Sequence, residues 1–319
     1  MAEALPIIDV SGLNDEAALP RLAAEIGAAC RDVGFFYVVN HSVPKDLVRS
    51  AFAESRRFFA LPLAEKRKIA MEVVGGNRGY SGLLREVLDH AVGADMKEAF
   101  NVGLDLAPDD PEILAGRPFR ALNAWPDDLP RFRQTMLAYF DACLALGMDI
   151  HRAFSCDLGI PGDYFADKFD RSTAILRLLH YPAANAADQV GAGAHTDYGN
   201  LTLLATDDVG GLEVRTRAGA WISAPVVPDA FVVNIGDCLM RWTNDVYVST
   251  PHRVFNRSGR ERYSIAFFLD PNPEAAVVAI PSCVGDGSRP LYPPVQAGDY
   301  LTGRLNASVP TEASAPAGA

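Results

Sequence analysis

The sequence predicts a mainly β fold with flanking helices. Two observations carry this: short apolar runs recur between turn signals after Arg171, and amphipathic stretches of helical period fill much of the first half. Residues 7–10 are a β-branched run expected to form an edge strand. A helix is expected over 20–33, because Leu22, Ile26, Ala29, Cys30 and Val33 share one face and Gly34 can close it. A second strand-like run covers 35–40. A helical stretch then runs from Pro44 to about Phe59 and ends near Pro62, with another starting close to Leu63. From Gly75 to Asn123 the chain is rich in Gly, Asp and Pro and predicts loops with short strands. The longest helix is expected over 129–154, with Phe132, Met136, Phe140, Cys143, Leu144 and Ile150 on its apolar face. The later runs at 174–181, 201–206, 212–215, 231–235, 253–255 and 263–269 indicate a sandwich or barrel, not a parallel sheet with crossover helices.

Composition narrows the function classes. The 319 residues carry 29 Lys+Arg against 40 Asp+Glu, a net charge of −11, and 49% are hydrophobic. That length allows about two domains or one large one, and the apolar content excludes a disordered or fibrous chain. The acidic balance argues against a nucleic-acid partner, and the lack of a long apolar run argues against a membrane span. The N-terminus has neither the basic start nor the apolar stretch of a signal peptide, so a cytoplasmic protein is expected. The five cysteines then read as reduced, mostly buried thiols, with Cys238 in a strand. From Val309 onward the composition predicts a disordered tail.

With six histidines, each can be weighed by name. His41, His90, His151 and His180 have no partner at metal-ligand spacing and read as structural. His195-Thr196-Asp197, which follows the turn-rich segment Gly191-Ala-Gly-Ala, differs: in extended chain, residues two apart project from one face, so an imidazole and a carboxylate can reach one ion. About one such triplet is expected by chance in this composition, so the motif needs support. His252, 55 residues after Asp197, supplies it. Two imidazoles and one carboxylate form a facial triad with three open positions, suited to Fe(II) and oxygen chemistry. Hydrolytic zinc with an open site is the alternative, although no Glu stands near either motif to act as base. Ten residues on, Arg262 and Ser264 share a strand face and can clamp a carboxylate; the plainer reading is an arginine paired with an internal aspartate. Phe268 lies on that same face, whereas Asp237 reads as a turn former.

These segments resemble the Fe(II)/2-oxoglutarate-dependent oxygenases, specifically the isopenicillin N synthase-like branch. The resemblance rests on His195-Thr-Asp-Tyr-Gly-Asn-Leu-Thr-Leu-Leu, Val233-Asn-Ile-Gly-Asp, Trp242-Thr-Asn-Asp-Val-Tyr, His252-Arg-Val and Arg262-Tyr-Ser-Ile-Ala-Phe-Phe. Leu5-Pro-Ile-Ile-Asp-Val, Gly34-Phe-Phe-Tyr-Val-Val-Asn-His and Asp95-Met-Lys-Glu-Ala-Phe carry it in the N-terminal half, so it spans roughly residues 5–305. It implies a double-stranded β-helix, or jelly-roll, packed against N-terminal helices and one long central helix. The division it implies is an N-terminal region at 1–120, a helical connector at 121–170, the jelly-roll core at 171–275, a C-terminal extension at 276–305 and a tail at 306–319. His195, Asp197 and His252 match the iron ligands; Arg262 and Ser264 match the pair that holds the distal carboxylate of 2-oxoglutarate, and Tyr181 matches a tyrosine beside that cosubstrate. Leu179 stands where many plant members have Asn. Tyr80, Arg85, Lys97, Phe100, Asn101 and Phe268 fall where relatives line the substrate mouth or cosubstrate pocket.

The implied activity oxidises, most simply hydroxylates, a small organic substrate with O2 and releases succinate and CO2. The implied protein is a monomer or small homo-oligomer. Within the branch, isopenicillin N synthase and the ethylene-forming oxidases keep the triad without using 2-oxoglutarate, so that alternative stands. A zinc hydrolase or an inactive jelly-roll binding protein are the readings from other classes.

Overall fold

The computed structural model describes residues 4–89, 93–183 and 190–307; His90 and the tail from 308 lie outside them. Strand β1 (Ile7–Asp9) and helix α1 (Leu19–Asp32) lead into β2 (Phe35–Val39). Helix α2 (Lys45–Phe59), the short α3 (Leu63–Lys68) and α4 (Met71–Val74), strands β3 (Gly79–Ser81) and β4 (Glu98–Gly103), and the single turn α5 (Pro111–Leu114) follow. The long α6 (Phe132–Asp157) and short α7 (Ala166–Phe169) come next. The second half runs β5 (Ile175–Tyr181), β6 (Val190–His195), β7 (Leu201–Thr206), β8 (Leu212–Arg215), β9 (Trp221–Ser223), β10 (Phe231–Ile235), helix α8 (Asp237–Trp242), β11 (His252–Phe255) and β12 (Arg262–Leu269). A small pair, β13 (Ala276–Val277) with β14 (Val295–Gln296), precedes the terminal helix α9 (Ala297–Ala307).

Eight strands form the larger sheet in the order β1-β2-β10-β7-β12-β5-β4-β3, and four form the smaller one in the order β6-β11-β8-β9. The N-terminal strands therefore extend the same sheet as the later ones. Period-2 alternation sorts the larger sheet into two faces. Phe36, Val38, Leu176, Leu178, Leu203, Val233, Ile265 and Phe267 point outward into a core shared with α1, α2 and α6. Tyr181, Thr202, Asn234, Arg262, Ser264 and Phe268 point inward, toward Ala192, Leu212, Val254 and His252 of the smaller sheet. This is the jelly-roll arrangement, with a hollow between the sheets and the helices on one outer face.

Two segments differ from expectation. The Gly191-Ala-Gly stretch before His195 belongs to strand β6. Its glycines serve close approach: a Cβ on Gly191 would stand 2.8 Å from the Tyr181 ring, and one on Gly193 2.8 Å from the Asp89 backbone nitrogen. The region from Gly75 to Asn123, expected as loops with short strands, contains β3 and β4, and β4 is buried along its whole length. Cys238 is buried in α8, not in a strand, and Asp237 opens that helix. The thiols of Cys30, Cys143, Cys238 and Cys283 are buried and Cys156 is exposed, all unpaired.

Candidate active site

The pairing of β6 with β11 sets His195 directly opposite His252, with ring centroids 4.3 Å apart. In each ring Nδ1–H donates to a backbone carbonyl two residues earlier, Gly193 at 2.7 Å and Thr250 at 3.2 Å, which leaves Nε2 free to face inward. Asp197 follows β6, and its Oδ1 lies 3.7 Å from His195 Nε2 and 3.6 Å from His252 Nε2. Its Oδ2 is already used: Thr202 Oγ1 donates at 2.5 Å and Asn234 Nδ2 at 2.7 Å. The backbone behind the carboxylate is fixed as well, because Asp237 N donates to Asp197 O at 2.8 Å.

Three unshared ligand atoms thus converge within 4.8 Å of one another, and no other His, Cys, Asp or Glu joins them among the described residues. Burial, with His252 beside it, holds the His195 pKa well below the usual imidazole range and favours the neutral, ligand form. Burial works against ionisation of Asp197, but the two imidazoles and the two donors keep its carboxyl below the usual range. The donor set fits Fe(II) with open positions and lacks the fourth ligand of a closed structural zinc site.

Arg262 and Ser264 point from β12 into the same hollow. The guanidinium donates from Nη1 to Ser264 Oγ at 3.2 Å and from Nε to Gly210 O at 2.5 Å. It lies 4.7 Å from the ring centre of Tyr181, its register partner on β5. Only 1% exposed, it has no carboxylate within ion-pair distance among the described residues. The internal-aspartate reading therefore fails. A buried cation without a counter-charge costs several kcal/mol, which an incoming carboxylate can offset.

Comparison with known proteins agrees with this geometry. Residues 172–271 match the 2OG-Fe(II) oxygenase superfamily, and residues 5–128 match the family described as non-haem dioxygenase in morphine synthesis N-terminal. A 2-oxoglutarate-Fe(II) type oxidoreductase of Emericella nidulans is 36% identical across 95% of this chain and 90% of its own. The chain belongs to the 2OG-Fe(II) oxygenase superfamily. It is an Fe(II)- and 2-oxoglutarate-dependent dioxygenase. A homoarginine-6-hydroxylase of Glycine max is 35% identical over 94% of this oxygenase and 96% of its own length. A full-length Neurospora crassa protein solved in complex with alpha-KG superposes with a TM-score of 0.85 at 36% identity, covering 96% of this chain and 99% of that one.

The oxygenase's hollow is a cavity of about 430 Å³ that takes in the triad, the Arg262–Ser264 pair and a wider chamber. Of the substrate-mouth residues expected from sequence, Arg85, Lys97, Asn101 and Phe268 line it. Tyr80 and Phe100 do not. Phe100 is on the outward face of β4, packed on Phe58 and Phe132, and Tyr80 points the same way and donates to Glu98 Oε2 at 2.5 Å. The β-alternation that turns Asn101 inward turns Phe100 outward.

Sequence reading missed several lining residues. Arg177 on β5 faces the chamber, paired with Glu86 and donating to Asn101 Oδ1 at 3.2 Å. Asp270, one inward step beyond Phe268, accepts from Asn200 N at 3.1 Å, and burial pushes its carboxyl up to about 7. Leu301 and Leu305 of α9 complete an apolar wall. Arg177 and Asp270 could have been found by counting inward positions along the strands. The helix residues carried no comparable signal.

Proposed function

We propose that this oxygenase holds the distal carboxylate of 2-oxoglutarate on Arg262 and Ser264 beside Tyr181, and hydroxylates a compact, ring-bearing substrate seated against Phe268. The observation that carries the clamp is the buried Arg262 guanidinium without a protein carboxylate, in the cavity that also contains the triad. His195 Nε2, Asp197 Oδ1 and His252 Nε2 would hold the iron. When bound, iron and 2-oxoglutarate supply the oxidation of a C–H bond by O2, with release of succinate and CO2. The chain's own contribution is placement and exclusion of water. Phe268 offers a flat apolar face, Arg177 and Asn101 offer hydrogen bonds to the substrate's polar edge, and Leu301 with Leu305 covers the opposite side.

Two relatives support a small polar substrate. The Neurospora crassa protein was also solved with thymine, and the soybean relative carries the name of a homoarginine hydroxylase. The net charge of −11 supports a free small molecule in place of a nucleic acid.

The test is anaerobic addition of Fe(II) and 2-oxoglutarate, followed by a substrate screen that compares succinate with oxidised product. A visible charge-transfer band and product in step with succinate are expected. A protein that forms no band, takes zinc tightly and hydrolyses its substrate would overturn the reading.

A further inference from the structure

We propose a second anion subsite on the chamber wall, in which the Arg78 guanidinium receives a carboxylate of the prime substrate. This deepens the oxygenase reading and rests on it.

The placement comes from the backbone. Ala99, Asn101 and Gly103 are the inward positions of β4, and Gly103 has no side chain to fill its place. A Cβ there would stand 2.0 Å from both Cζ and Nη2 of Arg78 and 2.3 Å from its Nε. The guanidinium therefore occupies the inward position at the end of β4, beside Ile175, the register partner of Gly103, and lines the cavity.

Arg78 is 3% exposed, and among the described residues no carboxylate lies within ion-pair distance. Its hydrogen bonds go only to backbone carbonyls, and two of the three are long: Nη1 donates to Gly76 O at 3.1 Å and Asn77 O at 3.4 Å, and Nη2 to Phe119 O at 3.5 Å. Nε has no partner. A guanidinium offers five N–H donors and a full charge, so this environment leaves both underused. Burial, reinforced by nearby Arg120, holds its pKa down to about 10, which an anion would reverse.

The other cations of the chamber are matched. Arg177 pairs with Glu86, Lys97 with Asp95 at 2.5 Å, and Arg85 with Glu72 at 3.1 Å. Arg78 and Arg262 are the two buried guanidinium groups left without a carboxylate among the described residues lining the cavity. They stand at opposite ends of β5, since Arg262 pairs with Tyr181 and Gly103 with Ile175. Six residues of strand separate them by roughly 20 Å, room for one acid at each end. A single uncompensated positive charge calls for a monoanion, hence a carboxylate before a phosphate.

The experiment uses the protein with Fe(II) and 2-oxoglutarate under anaerobic conditions. Phenylacetate against phenylacetamide and 3-phenylpropionate against its amide are titrated while the visible band is followed. The wild type should bind the acids at least about tenfold more tightly than the amides, as a buried charge-assisted pair requires. Arg78→Gln should erase the preference and Arg78→Lys restore part of it. Gly103→Ala, whose Cβ displaces the guanidinium, should erase it too, and decides the matter if Arg78→Gln fails to fold. Equal affinity for acids and amides in the wild type, or a preference that survives both Arg78→Gln and Gly103→Ala, would overturn the subsite. The band before any acid is added reports the oxygenase reading separately, and its absence would overturn both.

Discussion

Thr202 donates its hydroxyl to Asp197 Oδ2 at 2.5 Å, and that bond decides which carboxylate oxygen is left for a metal. Asn234 does the same from the next strand at 2.7 Å, and the two donors are register partners across β7 and β10. Removing both with Thr202→Val and Asn234→Ala frees the carboxylate to rotate while the ligands stay in place. Iron affinity should fall by about 10- to 100-fold, read by Fe(II) titration. Undiminished affinity would show that the triad needs no such support.

His252 and Arg262 lie in one cavity, and the proposed reading gives them different guests. His252→Ala removes a ligand atom and should abolish iron binding. Arg262→Ala leaves all three ligand atoms and should mainly raise the KM for 2-oxoglutarate. The buried charge-assisted contact is worth about 1.5–3 kcal/mol, so the rise should reach tenfold or more. Equal loss of iron in both variants would contradict the separation.

The terminal helix is tied to the metal-binding segment. Arg304 pairs with Asp237 Oδ2 at 2.9 Å, the same oxygen accepts from Thr196 Oγ1 at 3.0 Å, and the guanidinium sits 4.7 Å from the centre of the Tyr198 ring. Through this tie α9 keeps Leu301 and Leu305 on the chamber wall. Arg304→Ala should loosen the wall and admit water, raising succinate formed without oxidised product while the Fe(II)–2-oxoglutarate band persists. Unchanged coupling would mean that apolar packing alone seats the helix.

The strands that carry the site were legible because they are short apolar runs set off by turn signals. The runs at 201–206, 212–215 and 231–235 coincide with β7, β8 and β10. The triad was legible because a His-x-Asp triplet and one further histidine, His252, carry the right side chains for one metal. Strand β6 was not, since glycines needed for close packing against Tyr181 and Asp89 mimic turn glycines. Nor was the face of Tyr80 and Phe100, which depends on the phase of β3 and β4, and a loop-like composition hides that phase. Arg78 was invisible for another reason: its position is defined by the absence of a side chain at Gly103, 25 residues away.

His151 links the central helix to the metal-binding segment and makes stability depend on pH. Its Nδ1–H donates to Gly147 O at 2.7 Å, and its Nε2 accepts from Asn200 Nδ2 at 2.7 Å. Burial holds its pKa down to about 4, against about 6.5 for an unfolded chain. Between those values the unfolded chain binds a proton that the folded one refuses. The contribution is therefore complete above about pH 6.5 and is lost as pH falls toward 4, up to about 3 kcal/mol in all. His151→Gln keeps an acceptor for Asn200 but cannot take up that proton. Denaturant unfolding between pH 7 and 4.5 should show a steeper loss of stability in the wild type than in the variant. Parallel curves would mean that His151 is not the group being titrated.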